Sequence, residues 1–198
     1  MPVVECDVET ARDLLEGAGA TVETGNTPHE RWRARYREAV AVAYDGKVVV
    51  QGRDPHAIVA VLRADGGGRA HLYFDGASRG NPGPAAVGWV LVSGDGIVAE
   101  GGERIGRATN NQAEYRGLIR GIEAASDYGF DELEIRSDSQ LVVRQVTGAW
   151  ETRDPTLREF RVTARELLDG FEDWDLSYVP RAVNDRADAL ANEALDHG

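Results

Sequence analysis

Four short segments of this chain each set an acid among small or polar residues. Asp75 closes the apolar run Tyr73-Phe74 and is followed by a turn-forming loop, Gly76-Ala77-Ser78-Arg79-Gly80-Asn81-Pro82-Gly83. Glu114 lies in Thr109-Asn110-Asn111-Gln112-Ala113-Glu114, Asp138 in Ser137-Asp138-Ser139-Gln140, and Asp188 in Asn184-Asp185-Arg186-Ala187-Asp188. Brought to one place, four carboxylates form an oxygen-rich cage for a hard cation such as Mg²⁺ or Mn²⁺. The chemistry of such a cage is phosphodiester cleavage. Taken singly, each acid reads as a solvated surface group, because Asp and Glu make up 34 of the 198 residues. Asp75 stands apart, since an acid closing an apolar strand needs a partner.

The elements that must position these acids follow from pattern. Residues 70–75 alternate as a strand. Residues 87–93 and 97–104 form two more, joined through Gly94-Asp95-Gly96, a hairpin signal. Residues 111–128 carry Tyr115, Leu118, Ile119, Ile122 and Ala125 at helical spacing. A strand is predicted over 132–136, a short helix over 139–147, a longer helix over 155–168 with Pro155 near its start, a fifth strand over 174–179 and a closing helix over 185–195. The order of elements predicts a mixed α/β fold with a five-stranded sheet flanked by helices. Residues 64–69, Ala-Asp-Gly-Gly-Gly-Arg, read as a linker. They set off a small α+β domain over 1–67 from a larger one over 68–198. In the smaller domain helices are predicted over 9–17, 29–37 and 55–62. A hairpin of 38–44 and 47–51 turns at Asp45-Gly46.

Cys6 is the only cysteine, so an intramolecular disulfide and a thiolate metal site are both excluded. No apolar stretch is long enough to span a membrane, and the first residues carry acids rather than a basic region and apolar core. A cytoplasmic monomer with no membrane partner is expected. The formal net charge is -12, and Lys47 is the only lysine. Acid excess together with lysine loss points to adaptation to high salt; a GC-rich genome explains the arginine, alanine and glycine alone. Such a surface repels itself in dilute buffer, and in molar salt, with a screening length of about 3 Å, the repulsion fades. The melting temperature is therefore expected to rise from dilute buffer to molar KCl; a flat or falling trend in a thermal-melt series contradicts this. In brine the acidic balance does not exclude a nucleic-acid partner. Counterion release contributes little there, and hydrogen bonds, metal bridges and arginine forks hold the polyanion instead.

The four segments, in this order and in these slots, resemble type 1 ribonuclease H over residues 68–197. The resemblance implies a ribonuclease H-like fold and cleavage of the RNA strand of an RNA–DNA hybrid by two divalent metals. Products with 5′-phosphate and 3′-hydroxyl ends are expected. By position it implies that Asp75 bridges the metals mid-sheet, with Glu114 from the first helix, Asp138 from the end of the fourth strand and Asp188 from the last helix. Asn81, Asn110 and Gln140 match positions that contact the substrate strands. Gly76, Ser78, Asn111, Arg181 and Asn184 are expected beside them in substrate binding. Gly76, Gly80 and Gly83 are read as letting backbone approach the nucleic acid, with simple turn chemistry the alternative for Gly83.

Two features depart from the pattern. Many family members have a histidine in the loop before the final helix, where this chain reads Val179-Pro180-Arg181-Ala182-Val183-Asn184. Arg181 suits a phosphate contact but does not shuttle protons near neutral pH; His197 is the candidate replacement, against a frayed end. A basic helical protrusion is also absent from 145–160, and Trp150 reads either as a DNA contact or as packing. Residues 44–52, Tyr-Asp-Gly-Lys-Val-Val-Val-Gln-Gly, resemble the TATA-box-binding-protein-like domain that precedes type 3 ribonuclease H. Residues 1–67 thus read as either a nucleic-acid-binding domain or a stabilising cap. Deleting them separates the readings: lost hybrid affinity marks the first, a lowered melting temperature the second. The rival functions are a DNA-directed metal nuclease of the same fold (resolvase- or transposase-like), a non-catalytic hybrid-binding module, and a structural acidic protein.

Overall fold

A computed structural model describes residues 2–53, 55–63, 68–94 and 96–196, with the side chains of His56 and Arg63 outside the description. Most of the predicted linker, Asp95 of the hairpin turn, and His197 lie outside the described residues. The chain divides into two compact units, Met1–Gly67 with Asp127–Gly129, and Gly68–Ser126 with Phe130–Gly198.

In the first unit the elements are β1 (Val3–Glu5), α1 (Val8–Gly17), β2 (Thr21–Thr24), β3 (Trp32–Tyr36), β4 (Ala39–Tyr44), β5 (Lys47–Gly52) and α2 (Pro55–Arg63). The strands form one antiparallel sheet in the order β1-β5-β4-β3-β2. The helix predicted over 29–37 is a correction: its second half is β3. Glu, Arg and Ala favour a helix locally, but Trp32 and Ala34 alternate onto the buried face, and each residue of β3 pairs with β4. Trp32 Nε1 donates to the Val8 carbonyl at 2.9 Å, tying β3 to α1. Arg37, with φ of 52°, turns the chain into β4.

The second unit runs β6 (Arg69–Ser78), β7 (Gly83–Ser93), β8 (Gly96–Ala108), α3 (Asn110–Asp127), β9 (Glu132–Ser137), α4 (Gln140–Val146), α5 (Pro155–Leu168), β10 (Asp173–Tyr178), a 3-10 turn (Arg181–Val183) and α6 (Asp185–Asp196). The sheet order is β10-β9-β6-β7-β8. β6 pairs antiparallel with β7 and parallel with β9, so the sheet is mixed, as predicted, and β6 is its central strand. Every predicted element of this unit is present; β7 and β8 extend further toward Gly83 and Ala108 than expected. No helix among the described residues is long and apolar enough to cross a membrane.

Alternation along β6 sends its residues to two layers. Leu72 and Phe74 face α3 and are wholly buried with Leu118 and Ile122 of that helix. Burying side chains of this size contributes about 1.5–3 kcal/mol each. Asp75 faces the other way, opposite Gly88 of β7, and α6 packs over that face. Caps set where the helices start. Ser139 Oγ accepts the Val142 N–H at 3.4 Å, and Asp154 Oδ1 accepts the Leu157 N–H at 2.9 Å, with Pro155 in the first turn of α5.

Candidate active site

Two glycines beside Asp75 let helices reach it. A Cβ on Gly76 would overlap the backbone of Ala113 and Glu114, so glycine there admits α3 against the strand. A Cβ on Gly88 would meet the backbone of α6 at Ala187 and, at 2.6 Å, Ala191. Gly88 is the cross-strand partner of Asp75. One glycine thus brings in the helix carrying Glu114 and the other the helix carrying Asp188.

The start of α3 is fixed by a reciprocal cap. The Gln112 N–H donates to Thr109 Oγ1 at 3.2 Å, and the Thr109 N–H donates to Gln112 Oε1 at 3.0 Å. The Asn110 N–H donates to Asn81 Oδ1 at 3.1 Å, which draws the 78–83 loop onto the same helix end. Deeper in α3, the Tyr115 hydroxyl donates to Gln145 Oε1 of α4 at 2.9 Å. Burial pushes the Tyr115 pKa up to about 12, so the hydroxyl stays a donor. Thr109→Ala is expected to cost about 1 kcal/mol, checked by denaturant unfolding.

The four acids meet electrostatically. Asp75 and Glu114 are buried, at 6% and 8% exposure, while Asp138 and Asp188 are half-buried. Burial first, then the charges of Asp138 and Asp188 and a hydrogen bond with Asp188, push the Asp75 pKa up to about 7. Glu114 is raised well above the usual range by burial and then by Asp75, Asp138 and Asp188. The nearby Gly76 backbone N–H favours the charged form of both carboxylates and partly offsets these effects. Glu114 Oε2 is buried with no hydrogen-bond partner. Arg181 Nη2 donates to Asp188 Oδ1 at 2.7 Å, and Asp75 and Asp138 also hold the guanidinium in its charged form. Asn184 Nδ2 donates to Asp138 Oδ1 at 2.8 Å.

Among the described residues no group of three His, Cys, Asp or Glu side chains is gathered tightly enough to hold a cation as it stands. The acids nevertheless lie close enough to raise one another's pKa, and Arg181 offsets part of their repulsion.

Residues 73–194 match the family model described as reverse transcriptase-like. The chain is 68% identical over 197 residues to ribonuclease HI of Halobacterium salinarum, covering 99% of each protein. The chain belongs to the type 1 ribonuclease H family. The crystal structure of the ribonuclease H1 of that halophilic archaeon shares 73% identity and a TM-score of 0.65, covering 66% of this chain and 100% of that one. A ribonuclease H1 (LC11) isolated from compost, solved in complex with an RNA/DNA hybrid, shares 38% identity and a TM-score of 0.61, covering 64% of this chain and 96% of that one. A halophilic relative accords with the acid-rich, lysine-poor composition.

Type 1 ribonucleases H use divalent metal ions, and the residues here fit them. The unpartnered Glu114 oxygen and the two carboxyls held above their usual pKa mark a cluster whose negative charge Arg181 only partly balances.

The other predicted site residues divide into rim and interior. Asn81, Asn110, Asn111, Gln140 and Arg181 are exposed around the acids. Ser78 is at the rim, but its hydroxyl hydrogen serves the Ala108 carbonyl at 2.8 Å or that of Gly80, holding the loop to β8. Gly76 departs from the expected role, because α3 backbone fills the space beside it. Gly83 likewise packs on the Arg79 backbone and serves the turn. Asn184 is a correction: it is 1% exposed and both amide hydrogens are engaged inside the protein, so it faces no substrate. Trp150 is 45% exposed, with Arg144 stacked 5.1 Å from its ring centroid. The reading of the sequence missed the roles of Gly88 and the Thr109–Gln112 cap. A glycine inside a strand pattern and a Thr-x-x-Gln start were the signals for them.

Proposed function

We propose that this chain is an endoribonuclease that hydrolyses the RNA strand of RNA–DNA hybrids, with Asp75, Glu114, Asp138 and Asp188 holding two Mg²⁺ or Mn²⁺ ions. The observation that carries the reading is the shared burial of Asp75 and Glu114, each resisting ionisation first because it is buried and then because other acids face it. Paired divalent ions, when bound, supply the Lewis acidity that activates water for in-line attack and stabilises the departing 3′ oxygen. The chain's own part is to hold, orient and select. Asp75 is anchored mid-strand and Glu114 by a capped helix, so two carboxylates are fixed before substrate arrives. Asp138 and Asp188 sit nearer solvent, on the side from which a phosphate enters.

The exposed amides of Asn81, Asn110, Asn111 and Gln140 can donate to phosphate oxygens and 2′-hydroxyls. Contacts of this kind distinguish RNA from DNA and impose little sequence preference. Arg181 pairs with Asp188 in the free protein, and its exposed guanidinium is suited to transfer to the scissile phosphate. The identity of the ribonuclease HI from H. salinarum and the hybrid-bound ribonuclease H1 support the substrate assignment.

The test is a labelled RNA–DNA hybrid with Mn²⁺ or Mg²⁺ across KCl concentrations. The expected result is RNA-strand cleavage leaving 5′-phosphate and 3′-hydroxyl ends, with the DNA strand intact. Cleavage of plain duplex DNA with the hybrid untouched would favour the DNA-directed rival, and an intact hybrid under every condition would end the nuclease reading.

A further inference from the structure

We infer that Asn184 is the positioning residue that ties Asp75, Asp138 and Asp188 into one site; the inference rests on the reading of these acids as the cation-holding group. Its side-chain Nδ2 donates two hydrogen bonds of 2.8 Å, one to the Phe74 carbonyl and one to Asp138 Oδ1. Phe74 immediately precedes Asp75 on β6. The Asn184 carbonyl accepts the Asp188 N–H at 3.1 Å, as the residue that opens α6. One residue therefore reaches the central strand, the end of β9 and the first turn of α6. Those three places carry three of the four acids.

The two groups facing Nδ2 call for a neutral donor of two hydrogens, while the side-chain oxygen of Asn184 is buried without a partner. Both facing groups are acceptors, so only a side chain with two hydrogens on one atom satisfies them together. Burial at 1% exposure makes the loss of either bond costly. Lysine or arginine would also donate, but would bring a fixed positive charge against Asp138 and compete with a cation there. Asparagine aims the carboxylate and leaves its charge available. Hydrogen-bonded partners behind a ligating carboxylate set its direction in the same way at metal sites generally. The sequence places this asparagine one helical turn before Asp188, at the N-terminal end of the helix, and the family resemblance assigns it to substrate binding instead.

The test uses Asn184→Leu, which keeps the branched skeleton of four heavy atoms and removes both donors. Mn²⁺ titrated into the substrate-free full chain should bind about 10–100-fold more weakly than to wild type. On hybrid, kcat should fall by a similar factor while KM changes less than about twofold. Unchanged Mn²⁺ affinity overturns the inference, and so does a loss carried by KM, which marks a substrate contact. If the variant does not fold, the wild type decides by NMR. The Asn184 side-chain amide signals should exchange slowly with solvent and shift on addition of Mg²⁺ without any hybrid; fast exchange or unmoved signals overturn it. Mn²⁺ affinity and the amide signals are read without substrate. A wild type that leaves hybrid intact therefore counts against the nuclease reading, whereas these measurements count for or against Asn184.

Discussion

Asp75→Asn is expected to abolish hybrid cleavage and, in the same protein stripped of metal, to raise the melting temperature at pH 8. The two effects have one cause. Asp75 is set at the centre of the sheet; its burial first, and then the charges of Asp138 and Asp188, push its pKa from 3.8 up to about 7. The folded protein therefore binds this proton more tightly than the unfolded chain. Between those two pH values stability falls as pH rises, being fully present below about pH 3.8 and lost above about pH 7. A displacement from 3.8 to about 7 corresponds to at most about 4 kcal/mol between the protonation states. Asparagine is neutral throughout and should recover part of this, about 1–3 kcal/mol at pH 8. The gain should shrink to nothing as the pH is lowered to about 4. Activity moves the other way, because the lost carboxylate supports several kcal/mol of transition-state stabilisation, which is about 10³-fold or more in rate. Thermal melts in chelator at pH 4 and pH 8, beside a cleavage assay in Mn²⁺, check both halves. A variant that melts lower than wild type at pH 8, or that still cuts at a near-normal rate, contradicts the account.

Gly76→Ala is expected to be the most damaging single methyl addition near the site. Its Cβ would overlap main-chain atoms of Ala113 and Glu114, and backbone cannot rotate away as a side chain can. Either α3 retreats or β6 bends. Steric insertion of this kind costs about 3 kcal/mol or more, which in a chain of this size lowers the melting temperature by roughly 6–12 °C. The same displacement moves Glu114 away from Asp75, so cleavage should fall even at temperatures where the variant remains folded. Gly94→Ala is the control: nothing lies within 4 Å of a Cβ there, and the change should stay within about 0.5 kcal/mol. Equal melting temperatures for the two variants would show that α3 does not depend on Gly76 for its approach.

The N-terminal unit shows where local pattern loses to pairing. Residues 29–37 contain good helix formers, yet Trp32–Tyr36 is a strand because β4 and β2 pair with it on both sides. β1 and β2, at three and four residues, are too short to show a period; their partners define them. The second unit was more legible. Its longer helices α3, α5 and α6 carry three to five turns of repeating apolar residues, and β9 alternates cleanly, so propensity, period and turn chemistry agreed.

By itself the sequence determined the kinds of residue available for chemistry, the order of elements in the larger unit, and the acid-rich, lysine-poor composition. These are local or compositional properties, carried by side-chain type and short-range spacing. Tertiary structure alone decided which groups face one another. Asn184 was expected as a substrate contact but turned inward, where the buried Phe74 carbonyl and the half-buried Asp138 carboxylate take its hydrogens. Gly88, not singled out in the sequence, proved to be the gap through which α6 reaches the face of the sheet that carries Asp75. Proximity between residues more than a hundred positions apart depends on the packing of whole layers, and no window of sequence contains it.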